Sequence, residues 1–200
     1  IEGMPRWEYR YLRWVLLRDP RLQVQFLMTQ GDPALAASSP VHIGRFPEDP
    51  KDALKYDLII LGDVPASYFN TAQTQLIEKL VRERGGSLLM LAGPMAAPST
   101  YRDNPIGDLL PVNIGTGGYL NLATNVSPEV TEDGHKSLST SLSLAPDVSA
   151  RIWSHVKPMY GLPQLAGPKS GANVLLRLPK ANEADPDYPL VAWHRYGTGK

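Results

Sequence analysis

Apolar positions along this 200-residue chain fall into short runs with two different periods. From Arg6 to Arg18, Trp7, Tyr11 and Trp14 recur with Leu12, Val15 and Leu16 at helical spacing, while Arg6, Arg10 and Arg13 share another face. This predicts a helix with a wide apolar stripe, stopped by Asp19-Pro20. Leu22–Met28 alternates and then turns continuously apolar, as a strand entering a sheet does. Thr29 to Pro50 is polar, Pro-rich and without period, and reads as a loop. Asp57–Leu61 and Ser87–Gly93 have the form of strands buried on both faces of a parallel sheet. Between them, Asn70 and Gln73 sit as in a capping box. Leu76, Ile77, Leu80 and Val81 make an apolar face, Glu78 and Arg82 pair at i,i+4, and Gly85-Gly86 ends the helix. Strand, helix and strand at these lengths predict a right-handed crossover joining parallel neighbours.

Beyond Pro94 the pattern changes. Met95 to Gly118 is rich in Pro, Gly, Asn and Asp around one apolar cluster, Ile106, Leu109 and Leu110, which predicts a short helix closed by Pro111. Gly115-Thr116-Gly117-Gly118 reads as a flexible turn. Tyr119–Val126, Asn173–Leu178 and Pro189–Tyr196 read as antiparallel strands, and Ser137–Ser143 as an edge strand or loop. The expectation is an α/β domain with a β-rich C-terminal extension packed on the same sheet.

Composition narrows the function classes. Twenty Lys and Arg balance 20 Asp and Glu, so no global positive field draws the chain to nucleic acid or an anionic membrane. Gly and Pro, 17 and 19 residues, together make 36 of 200, above the roughly 12% of average proteins, which fits many turns. There is no cysteine, so disulfides, thiolate metal sites and cysteine nucleophiles are excluded. His42, His135, His155 and His194 show no paired ligand spacing, and nothing points to a metal or a cofactor. No Gly-x-Ser-x-Gly elbow occurs, and Gly199-Lys200 lacks the earlier glycine of a phosphate loop. Asn125-Val126-Ser127 is a glycosylation sequon that matters only in a secretory host. Ile1-Glu2-Gly3 reads as the tail of a strand and Gly197–Lys200 as a hairpin turn without its return strand, so the expected whole is one domain, 1–200, excised from a longer protein.

Ligands of open α/β sheets bind beyond the carboxyl ends of the strands. Those loops supply Glu2, Arg6, Trp7, Glu8, Asp63 and Met95, with Tyr101 near, as a candidate ligand-binding rim. Asp63 is a strand-tip general base or ligand carboxylate on one reading and a turn cap before Pro65 on the other. Arg6, Trp7 and Glu8 form an anion or planar-ligand site, or else simply continue the helix stripe and suit its positive end.

The runs Gly3-Met4-Pro5-Arg6-Trp7-Glu8-Tyr9-Arg10-Tyr11-Leu12, Tyr56–Asp63 and Arg84–Gly93, with Asp108–Val112, Trp153 and Pro158, and Pro189–Val191 leading to Tyr196–Lys200, carry a resemblance. Together they resemble the class I glutamine amidotransferase-like domain of bacterial membrane proteins that often carry von Willebrand factor type A domains. The resemblance implies a flavodoxin-like three-layer sandwich with a parallel central sheet. It also implies a membrane-anchored parent with this domain extracytoplasmic, the membrane being reached only through segments outside this chain. In active members a turn after the strand presents a cysteine nucleophile. Here that turn reads Ala92-Gly93-Pro94-Met95-Ala96-Ala97, with a thioether about where the thiol would be. The expected function is therefore a non-catalytic binding or interaction domain, its partner a protein or other domains of the same chain. The alternatives are a hydrolase of sugars or amides using rim carboxylates, and a small-molecule receptor using Arg6 and Trp7.

Overall fold

The computed structural model describes the chain apart from residues 33, 35–38, 181, 183 and 186 and the side chains of 123–125. Part of the expected Thr29–Pro50 loop and the sequon's Asn125 side chain thus lie outside the described residues. The chain forms two compact units, one of Ile1–Leu109 with Gly197–Lys200 and one of Leu110–Tyr196.

In the first unit, helix α1 spans Trp7–Arg18 and a single turn, α2, spans Pro50–Ala53. Strand β1 (Leu58–Leu61), helix α3 (Thr71–Arg82) and strand β2 (Ser87–Met90) form the expected crossover. β1 and β2 are parallel in the register Leu58↔Ser87 to Leu61↔Met90. α3 begins where the sequence places it. Asn70 Oδ1 accepts the Gln73 N–H at 2.9 Å, and Gln73 Oε1 accepts the Asn70 N–H at 3.0 Å. Leu76, Ile77, Leu80 and Val81 are buried, each contributing on the order of 1.5–3 kcal/mol. Gly85 ends the helix at φ +83°, and the Leu88 N–H reaches the Lys200 carbonyl at 2.8 Å. Short helix α4 (Pro105–Asp108) buries Ile106.

The flavodoxin-like expectation is corrected here: the parallel sheet has two strands and does not extend into the central sheet of a three-layer sandwich. Ile1–Gly3, expected as the tail of a strand, and Phe26–Met28, part of an expected strand, form only isolated parallel bridges, Glu2↔Met28 between them and Phe26↔His42 to the segment beyond. Each lies beside a Gly- or Pro-containing stretch that ends the ladder after one step. Leu22–Gln25, on the expected strand, is without strand structure. Nor are β1 and β2 covered on both faces, since Leu58 and Leu89 are 47% and 43% exposed. The face bearing Ile59 and Leu61 packs inward, while Leu58, Ile60 and Leu91 line an open cleft of about 960 Å³ whose other wall includes Leu12 and Leu16 of α1.

The second unit carries its own antiparallel sheets, rather than extending the first sheet. Strand β3 (Val112–Val126) pairs with β5 (Met159–Pro168), and β4 (Glu129–Val130), β6 (Asn173–Arg177) and β7 (Pro189–Trp193) form a second sheet in the order β4-β6-β7. The glycine-rich segment expected as a turn lies inside β3, because a Cβ on Gly115 or Gly117 would meet Gln164 of β5 at 2.9 and 1.6 Å. Alternation was too weak there, and at β5, for sequence to show a strand. Helix α5 (Glu132–Lys136) follows Thr131, whose hydroxyl accepts the Gly134 N–H and donates to the Val174 carbonyl on β6. Ser137–Ser143 contains a 3₁₀ turn, and α6 (Pro146–Trp153) ties back to it through the Trp153 indole N–H on the Thr140 carbonyl at 2.8 Å. Arg177 crosslinks Glu129 and Asp187, both at 2.8 Å. Among the described residues no helix is long and apolar enough to cross a membrane.

Asn70→Ala is expected to cost about 1 kcal/mol in denaturant unfolding, since it leaves the Gln73 N–H without its cap. Arg177 hydrogen bonding, opposed by burial and reinforced by Lys180, holds Asp187 below its ordinary value of 3.8. A lowered carboxylate pKa stabilises the folded state above pH 3.8, and that contribution is lost as pH falls through the folded value. Acid titration of the second unit, followed by circular dichroism, is therefore expected to lose part of its slope below pH 3.8 in Asp187→Asn.

Candidate functional site

The strand tips of the first unit converge on two buried carboxylates. Ile1–Gly3 runs between β1 and the Phe26–Met28 segment: the Gly62 N–H donates to the Ile1 carbonyl at 2.8 Å, and the Glu2 N–H to Leu27 at 2.9 Å. This places Glu2 beside the end of β1, where Asp63 follows Gly62. Both are nearly inaccessible, at 3% and 4% exposure.

Burying a carboxylate is costly unless donors replace its water, and here backbone donors do so. Glu2 accepts the N–H groups of Gly3 at 3.2 Å and Asp63 at 3.1 Å. It also takes Arg6 Nε at 2.9 Å and Arg6 Nη2 at 3.2 Å. Asp63 accepts three consecutive backbone N–H groups from the loop after β2: Met95 at 2.9 Å, Ala96 at 2.7 Å and Ala97 at 2.8 Å. Arg6 completes the circuit by donating Nη1 to the Ala92 carbonyl at 3.1 Å. Burial works against the Arg6 charge, but hydrogen bonding and proximity to Glu2 hold it above its ordinary value.

Glycines make this approach possible. A Cβ on Gly62 would lie 2.1 Å from the Glu2 carboxylate, and one on Gly93 would lie 2.4 Å from Asp63 Cγ. Just below, fully buried Tyr101 donates its hydroxyl to the Val64 carbonyl at 2.8 Å. Burial, with the nearby Asp63 charge, pushes that phenol far above its usual range.

The expected rim residues thus separate. Glu2, Arg6 and Asp63 come together, as a strand-tip clamp whose acceptor atoms face backbone N–H groups. Asp63 takes the turn-capping role, extended to a loop 32 to 34 residues away. Met95 projects from that loop at 76% exposure while its N–H is held by Asp63. Glu8 is an exposed residue of the first turn of α1. Trp7 is 67% exposed and stacks on Tyr11 at 6.1 Å, while the Arg6 guanidinium is paired with Glu2. Sequence reasoning missed His42, which stands buried beneath α1 with Nε2 3.4 Å from the Tyr9 hydroxyl and Phe26 at 5.7 Å. Desolvation and the charge of Arg13 lower its pKa. A lone histidine in a loop gave no signal of this. Among the described residues no group of three or more His, Asp or Glu side chains is placed to hold a metal ion.

No protein-family model matches the chain, and no curated protein matches it in sequence. Among solved structures, a cytoplasmic protein from Salmonella typhimurium is similar in fold, with a TM-score of 0.57 at 19% identity. The match covers 76% of this chain and 61% of that one, so this chain spans about three fifths of its neighbour's length.

Asp63→Asn turns an amide N–H₂ or a weaker acceptor toward three backbone donors. It is expected to cost at least about 3 kcal/mol in denaturant unfolding. Gly93→Ala is expected to be similarly destabilising, because its methyl would lie 2.4 Å from the Asp63 carboxylate, closer than van der Waals contact allows.

Proposed function

We propose that this chain is a non-catalytic binding and interaction domain of a bacterial membrane-associated protein, whose partner is a protein or further domains of the same chain. The observation that carries the reading is the clamp. Of the three rim carboxylates, Glu8 stands exposed on the first turn of α1, while Glu2 and Asp63 are buried and committed to Arg6 and five backbone N–H groups. A general base must reach a substrate proton, and these two face the protein's own backbone. The cysteine-free sequence supports the same conclusion, since the exposed strand-tip side chain is the thioether of Met95, which has no proton to lose. A loop held this rigidly, with an apolar side chain at its tip, suits recognition. Membrane association and an extracytoplasmic position rest on the resemblance of the Gly3–Leu12 run and its companions.

The first test is turnover. Incubation with glutamine, simple amides and aryl glycosides is expected to give no product above buffer. Turnover abolished by Glu8→Gln, with the fold intact by circular dichroism, would contradict the reading. The complementary test is retention from the host's membrane extract. A stoichiometric protein bound by the wild-type chain and released by Met95→Asp is expected.

A further inference from the structure

Helix α1 carries two tryptophans, two tyrosines and four aliphatic side chains in twelve residues, yet buries none of them fully. At 100° per residue its positions divide into two arcs. Tyr9, Leu12, Arg13 and Leu16 turn toward the unit and are half-buried, with the Arg13 guanidinium 5.8 Å from the Phe26 ring. Trp7, Tyr11, Trp14 and Val15 fall on the opposite arc at 62–67% exposure, and Met4, just before the helix, is 51% exposed. Solvated tryptophans in such a row are uncommon on a chain with nothing to bind.

The charges on this arc identify what covers it. Between Met4 and Leu22 there are five arginines and two acidic residues, within a chain of zero net charge. Arg6 is engaged by Glu2, Arg13 by the Phe26 ring and Arg21 by Asp19 at 2.6 Å. The remaining two lie on the aromatic arc itself, Arg10 over Trp7 and Arg18 over Trp14, each 5.0 Å from the ring centroid. Stacking uses a guanidinium's face and leaves its in-plane N–H donors pointing outward, which suits phosphate oxygens. Glu8 stands at the margin of the arc, and no carboxylate lies among its aromatic residues. Indole and phenol rings have an apolar body and a polar edge, which belong together at the boundary between headgroups and acyl chains.

We propose that the outward face of α1 is a membrane-docking surface. It beds Met4, Trp7, Tyr11 and Trp14 into the headgroup boundary of an anionic bilayer, with Arg10 and Arg18 on lipid phosphates. This contact lies within the chain, whereas the sequence alone placed membrane attachment outside it. It rests on α1 and does not depend on whether the strand-tip rim binds anything. The helix stays attached to its unit through Arg6–Glu2 and the Tyr9 and Arg13 contacts, so docking requires no unfolding.

The test is flotation of the 200-residue chain with vesicles of phosphatidylcholine, alone or doped with phosphatidylglycerol, read together with tryptophan emission. Co-flotation about tenfold stronger with the anionic vesicles is expected, with a blue shift of emission and weakening by salt. Trp7→Ser with Trp14→Ser is expected to lower it about tenfold and to remove the blue shift, and Arg10→Gln with Arg18→Gln to remove the preference for anionic lipid. All four side chains are solvent-facing, and circular dichroism confirms the fold of each variant. Failure to float with anionic vesicles, or flotation unchanged by the tryptophan variants, overturns the proposal. So does a lipid-free dimer that those variants dissociate while vesicles stay unbound, which assigns the face to a second copy.

Discussion

Everything at the strand tips of the first unit depends on two carboxylates that accept backbone hydrogen bonds in a place water does not reach. Burying a carboxylate without donors is costly, and a loop of consecutive free N–H groups would not stay buried. Each condition meets the other's need. Glu2 joins the first segment to the turn after β1, Asp63 joins that turn to the loop after β2, and Arg6 returns from α1 to both Glu2 and Ala92. Three segments far apart in sequence are thereby fixed by one polar network, where the described residues of this unit form no ladder longer than that of β1 and β2. The cost is specificity of composition: glycine at 62 and 93, and an acid at 2 and 63.

The same network explains why the site reads as a candidate ligand-binding rim in sequence and as architectural in three dimensions. An Asp just past a parallel strand is where many α/β enzymes keep a catalytic acid. Nothing local distinguishes that role from capping a loop more than thirty residues later. The capping alternative was visible at Asp63-Val64-Pro65, but its true partners, Met95 to Ala97, were not, because backbone donors carry no sequence signature. Glu2 and Arg6 were legible as neighbours, though not as an ion pair facing inward.

Legibility followed the strength of local physics. The order and the starts of the β1-α3-β2 crossover were readable, because capping box, apolar face and terminal glycine all agree, while α3 and β2 end two or three residues earlier than expected, at Arg82 and Met90. The extended parallel sheet was not formed, because the apolar runs near Glu2 and Phe26 support single bridges and no ladder. In the second unit, glycines at 115 and 117 resembled a turn when they are the residues that let β3 pass close to Gln164. The aromatic stripe of α1 was plain in sequence, and its direction was not: period gives the face, and only the fold shows that it looks outward.

Amide hydrogen exchange at Met95, Ala96 and Ala97 tests the central claim most directly, because these three N–H groups belong to a loop and have the Asp63 carboxylate as their acceptor. Slow exchange, comparable with the buried amides of β1 and β2, is the result expected if the strand tips are held as described. Exchange at the rate of an open loop would show that Asp63 is free to serve another partner, and would contradict the account.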